Sequence, residues 1–176
     1  MKKIISAVLL ALLLIVMLLL PLYPLQESAV KNRTVNVTLA VDETCPEEKR
    51  CDFLKTIIND ISVEFEKNFS IQFEVEKCVQ WNCHDRYHSL DPLFSYFFKT
   101  VPKGHADIVI GLTCRKGLKG KYGISFYQEG YVLVRLMDDL SFFKKVLKHE
   151  ICHLFGATHV NDGDSLMDRL RKKIVE

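Results

Sequence analysis

Beyond residue 30 the hydrophobic positions fall into segments of two distinct periods. "RTVNVTLAV" places Val35, Val37, Leu39 and Val41 at every second position, the period of a half-buried strand. "CDFLKTIINDISVEFEKNFS" instead spaces Leu54, Ile57, Ile58, Ile61 and Phe65 as one face of a helix. "IQFEVEKCV" alternates again and predicts a second strand. "SLDPLFSYFFKTV" predicts a helix capped by Asp91, with Pro92 in its first turn and Phe94, Phe97 and Phe98 as its core stripe. "ADIVIGLTC" is continuously apolar, as expected of a parallel strand covered on both faces. "YGISFYQ" and "YVLVRL" are separated by Glu129-Gly130, which predicts a two-residue hairpin and hence one antiparallel strand. A last helix is expected from about Ser141, with Phe142, Phe143, Val146 and Leu147 on its apolar side. The order β-α-β-α-β-β-β-α defines an α/β (α+β) fold: a mixed, mostly parallel five-stranded sheet with an antiparallel edge strand and helices packed on it.

The start of the chain reads differently. Lys2 and Lys3 precede an apolar run from Ile4 to Leu20, broken only by Ser6 and closed by Pro21 and Pro24. That arrangement directs export, with the lysines left on the cytoplasmic side. The run approaches the ~18–20 residues that span a bilayer, and no small-x-small cleavage site follows it. A retained anchor is favoured over a cleaved signal peptide, and both place the domain outside the cytoplasm. Residues 1–30 are therefore read as signal-anchor or signal peptide with a short linker, and residues 31–176 as one domain, expected to be a monomer. The chain has 176 residues, 48% of them hydrophobic, which is the range of one globular domain with a proper core. Lys2 and Lys3 account for the whole net charge of +2, so no basic patch suggests nucleic acid as a partner. Six cysteines, Cys45, Cys51, Cys78, Cys83, Cys114 and Cys152, form an even set in an exported chain and point to disulfides. Short loops favour Cys45–Cys51 and Cys78–Cys83, leaving Cys114–Cys152.

The chemistry lies in "KHEICHLFGATHVNDGDSLMD", Lys148–Asp168. On a helix, His149 and His153 are about one turn apart on one face and can share a metal ion. His159 is six residues further on, about 240° from that face if the helix continued. The helix must stop for all three to converge, and Gly156 stands where a left-handed C-cap reverses the chain. Three neutral nitrogens with an open fourth position suit one catalytic Zn2+. Such a zinc lowers the pKa of bound water to about 7 and polarises a carbonyl. Glu150, beside His149, can take the water's proton as general base and pass it to a leaving amine.

The stretch His149-Glu150-Ile151-Cys152-His153-Leu154-Phe155-Gly156-Ala157-Thr158-His159 matches HExxHxxGxxH, and Met167 stands where a Met-turn follows. Over about twenty residues the chain thus resembles the metzincin zinc metalloproteases. The resemblance implies a metzincin-like catalytic domain with a zinc-binding active-site helix and an apolar floor at Met167. It also implies an edge strand, Tyr122, Gly123, Ile124, Ser125 and Phe126, that pairs with an extended peptide or protein substrate. The interval from His159 to Met167 is similar to that of both matrixins and archaemetzincins. Val160 and Ser165 stand where archaemetzincins carry cysteines for a second zinc. Arg169 stands where astacins carry a tyrosine ligand. Few residues follow Met167, so the C-terminal subdomain is expected to be very short. The function implied is an exported, membrane-anchored zinc metalloendopeptidase.

Two other classes compete with it. One is a non-catalytic extracytoplasmic zinc-binding interaction domain, against which Glu150 argues, since a structural site needs no base. The other is an exported haem or redox protein built on Cys78, Cys83 and His84, whose cysteines have four residues between them where haem attachment has two. Asn161–Asp164, "NDGD", reads as a turn rather than a calcium loop.

Overall fold

The element order expected from the hydrophobic pattern is the one found in the computed structural model, which describes residues 32–83, 86–160 and 166–167. The strands are β1 (Arg33–Asp42), β2 (Ile71–Trp81), β3 (Ile108–Thr113), β4 (Gly123–Phe126) and β5 (Tyr131–Arg135). The helices are α1 (Cys51–Phe69), α2 (Leu90–Thr100) and α3 (Leu140–Leu154). The apolar N-terminal run with Lys2 and Lys3, His84, the Asn161–Asp164 turn, Ser165, Arg169 and the remaining C-terminal residues lie outside the described residues. Among the described residues no helix is long and apolar enough to cross a membrane.

The sheet runs β2-β1-β3-β5-β4. β1, β2, β3 and β5 are mutually parallel, and β4 pairs antiparallel with β5 at the edge. Strand alternation divides the core into two layers. Val37, Leu39, Ile110 and Val132 point to one face, where they bury Leu54, Ile58 and Ile61 of α1 and Phe143, Val146 and Leu147 of α3. Ala40, Val109, Tyr131 and Leu133 point to the other face, against Leu93 and Phe97 of α2. β3 is buried along its whole length, as its unbroken apolar sequence requires.

Local chemistry sets the helix ends. Ser70 closes α1 in the left-handed region, at φ 55°. Asp139 caps α3, its carboxylate accepting from Phe142 N at 3.0 Å. Asp91 does not cap α2; Ser89 precedes the helix, and Asp91 lies inside the first turn, paired with Lys121 at 2.7 Å. The hairpin is also longer than Glu129-Gly130 alone. Tyr127 and Gln128 leave the strand to make a four-residue turn, in which Gly130 N donates to Phe126 O at 2.9 Å.

The cysteine pairing differs from expectation. Cys45 is bonded to Cys114 and Cys51 to Cys78, while Cys83 and Cys152 are free thiols. Parallel pairing is the cause. β1 and β3 run side by side with Val41 opposite Leu112, so the chain just beyond their two ends brings Cys45 and Cys114 to a Cα separation of 4.7 Å. Cys51 opens α1 near the same end of the sheet, where Cys78 of β2 lies opposite Leu39. Cys83 is buried, and its thiol is pushed up to about 11, first by burial and then by its hydrogen bond to Asp42. The bridges close separations of 69 and 27 residues. On the chain-entropy account that stabilises the domain by roughly 4 kcal/mol per bridge. Disulfides of this kind suit an oxidising compartment. Intact mass before and after reduction should rise by four hydrogens, from two bridges, and a rise of six would contradict this pairing.

Candidate metal centre

α3 carries both a core seam and a set of ligands. Phe143, Val146, Leu147 and Ile151 recur at helical spacing and are fully buried, which fixes the helix's rotation on the sheet. That rotation turns His149 and Glu150 inward, to 1% and 5% exposure. Two surface pairs join α3 to α1, Lys144–Asp60 at 2.5 Å and Lys148–Glu64 at 2.6 Å, each worth about 0–1 kcal/mol.

The helix ends at Leu154, one residue after His153. Phe155 N donates to Cys152 O, Gly156 N to His153 O, and Ala157 N to Cys152 O. Gly156 sits at φ 84°, the left-handed conformation the helix break requires. The reversal has a second effect: it brings the Ala157 carbonyl to 2.7 Å from His153 Nδ1. With Nδ1 donating there, His153 Nε2 is left as a lone-pair donor.

The chain then returns His159 to the same point. His149 Nε2 lies 3.1 Å from His153 Nε2 and 3.2 Å from His159 Nε2. The three ligand atoms all lie within 4.8 Å of one another. Burial first, then the His153 and His159 rings, holds the His149 imidazolium down to about 4, so the ring is neutral. Its Nδ1 is buried with no hydrogen bond of normal geometry among the described residues, although the Leu166 backbone lies close enough to act on it. Three imidazole nitrogens converging so closely suit a shared cation. Tetrahedral ligands at the Zn–N length of 2.0–2.1 Å stand roughly 3.4 Å apart, close to the spacing seen here. The donor set fits one zinc ion. Met167, next to Leu166, is buried.

Glu150 packs against the edge strand. Period-two alternation turns Gly123 and Ser125 toward α3, and Ile124 and Phe126 toward α2. Ser125 Oγ donates to Glu150 Oε2 at 2.8 Å. Gly123 leaves the room that the carboxylate uses, since a Cβ there would lie 2.6 Å from Glu150 Cγ and 2.9 Å from Oε1. Burial raises the Glu150 pKa, opposed by the Ser125 hydrogen bond and by the charges of His153 and Lys121.

β4 is last in the sheet order, and among the described residues no strand pairs with its outer edge. Arg135 N donates to Tyr122 O at 3.0 Å, which sets the antiparallel hydrogen-bonding phase. In that phase the backbones of Ile124 and Phe126 face β5, and those of Gly123 and Ser125 face outward. Tyr122 lies just before the strand and its ring packs edge-on against Phe142, with Arg135 over its face. Of the five expected edge residues, Gly123 and Ser125 offer free backbone groups. A cavity of about 560 Å³ runs beside them, lined by Ser125, Tyr127, His153, Gly156, Thr158 and His159 among others.

Of the residues expected from the sequence, His149, His153 and His159 converge, with Glu150 next to His149 and Gly156 at the helix break. Ser125 is expected there only for substrate binding, and the Ala157 carbonyl is not expected at all. The strand period was the available signal for Ser125, since it sets Gly123 and Ser125 on one face. For the Ala157 carbonyl there was no signal. The haem reading falls, because Cys78 is bonded to Cys51.

No protein-family model matches the sequence, and no curated protein is similar to it. Solved structures do match. An archaemetzincin from Methanopyrus kandleri superposes with a TM-score of 0.56 at 18% identity, over 76% of this chain and 80% of its own. A chain from a chaperone–substrate complex matches with a TM-score of 0.58 at 11% identity, over 75% of this chain but 25% of its own. Metalloproteinase-II from Bacteroides fragilis gives a TM-score of 0.48 at 18% identity, over 77% of this chain and 46% of its own. The fold is metzincin-like, and it carries a histidine triad arranged for zinc.

Proposed function

We propose that the chain is an extracytoplasmic zinc metalloendopeptidase, held at the membrane by its N-terminal apolar segment. The observation that carries this reading is the convergence of His149, His153 and His159 beside a buried glutamate and an open strand edge.

His149, His153 and His159 would hold the ion through Nε2, with the Ala157 carbonyl keeping His153 in the required tautomer. When bound, zinc supplies Lewis acidity, polarising a peptide carbonyl and making water acidic enough to attack near neutral pH. Glu150 takes the proton of the attacking water and delivers it to the leaving nitrogen. Ser125 occupies Oε2, so Oε1 is the oxygen left for that transfer. Gly123 and Ser125 receive the substrate backbone by strand addition, which draws the scissile bond along the cleft. Met167, buried next to Leu166, would form the apolar floor beneath the ligands.

A zinc-binding interaction domain would use the same edge and the same metal. The buried Glu150 carboxylate favours hydrolysis, because burying it is costly and a structural site gains nothing from it.

The test uses the full-length chain, loaded with zinc and offered a diverse peptide mixture. The wild type should cleave, and a chelator should abolish cleavage. Glu150→Ala should retain one zinc by elemental analysis and lose about 10²–10⁴ in kcat. Equal turnover in that variant would remove Glu150 from the mechanism. His153→Ala should lose its zinc on dialysis, and a fully loaded variant would break the ligand assignment. Gly123→Ala forces a methyl group into the Glu150 side chain, so zinc should stay while kcat falls about 10²-fold. A wild-type rate there would show that the close approach has no catalytic consequence.

A further inference from the structure

The two halves of Ser125 face different parts of the site. Its side chain hydrogen-bonds Glu150 Oε2 at 2.8 Å, and no other hydrogen bond holds that carboxylate among the described residues. Its backbone N–H and C=O, by the antiparallel phase of β4 and β5, point to the open edge. Ser125 also lines the cleft together with His153 and His159.

We infer that Ser125 is a positioning residue that couples the docking of a peptide strand on β4 to the setting of the Glu150 carboxylate. The inference rests on the metalloendopeptidase reading and goes beyond it, since that reading needs β4 only as a docking edge. Glutamate has three rotatable side-chain bonds, and Gly123 limits only one side of the space around it. The Ser125 hydroxyl selects one rotamer and one oxygen, leaving Oε1 without that hydrogen bond. An incoming strand that pairs with the Ser125 N–H and C=O fixes that residue's backbone torsions and, through them, the direction of Cα–Cβ. Docking therefore sharpens the aim of the hydroxyl on the base. A peptide that fails to pair at Ser125 meets a less well-aimed carboxylate, so register on β4 contributes to kcat as well as to binding.

The experiment compares full-length wild type, Ser125→Ala, Ser125→Thr, Glu150→Ala and the Ser125→Ala/Glu150→Ala double variant. Zinc content, kcat and KM on one cleaved peptide, and the denaturation midpoint of the zinc-free protein are measured for each. Ser125→Ala should keep its zinc and lose roughly tenfold to a hundredfold in kcat, with KM changed less than about twofold. Ser125→Thr, which keeps the hydroxyl, should recover most of that loss. In the zinc-free protein, Ser125→Ala should shift the midpoint alone but add nothing in the Glu150→Ala background. A wild-type kcat in Ser125→Ala overturns the inference while leaving the peptidase reading intact. Additive midpoint shifts overturn it by showing that the hydrogen bond is absent in solution. Loss of zinc from Ser125→Ala overturns it by making the hydroxyl a prop of the fold. A zinc-loaded wild type that cleaves nothing removes the peptidase reading, and the inference falls with it.

Discussion

One helix has to satisfy two demands at once, and the rest of the domain follows from how it does so. α3 buries Phe143, Val146, Leu147 and Ile151 against the sheet, and between these residues it carries His149 and Glu150. Polar groups at such depth are costly unless each has a partner. The sheet, the edge strand and the chain beyond Gly156 supply the surroundings: Ser125 for Glu150, the Ala157 carbonyl for His153, and His159 to complete the nitrogen triad. The parallel strands set the platform on which α3 rests. The antiparallel edge sets what α3 faces.

The fold was readable where the physics is local. Period-two alternation in β1 and β2 and helical spacing in α1 and α3 depend on neighbours a few residues apart, and both survive in the structure. The break at Gly156 was readable for the same reason, because the spacing of His153 and His159 permits convergence only if the helix stops. The disulfides were not readable. Proximity along the chain favours Cys45–Cys51 and Cys78–Cys83, but parallel strands align ends that are distant in sequence, which is how Cys45 meets Cys114. Strand boundaries at β4 failed more mildly, since Tyr122 and Tyr127 have strand-like chemistry but serve as packing and turn residues. The second role of Ser125 required knowing which helix lies under which face of the edge strand.

The residues that matter to the candidate site are held with different strengths. His149 and Glu150 are fixed by the core seam of α3. His159 depends on the reversal at Gly156, where nothing would crowd a Cβ and the backbone conformation alone decides. The Cys45–Cys114 bridge lies at the end of β1 and β3, and Cys51–Cys78 ties the start of α1 to β2, so the covalent reinforcement belongs to the platform. The ligand-bearing part of the chain depends instead on packing and on the reversal at Gly156.

The open edge of β4 is only four residues long. An unprotected edge is a template for any extended backbone, including that of a second molecule of the same protein, and brevity is one of the ways such edges are kept from polymerising. The same brevity restricts what can be taken up. If β4 docks substrate as proposed, a polypeptide would first have to surrender a short stretch of its own secondary structure, because backbone groups already paired at home have nothing to offer β4. Folded proteins would thus be vulnerable at their termini, linkers and loosened loops, and well-ordered sheets and helices would pass untouched. Selection would act on the local stability of the target before any side chain is read.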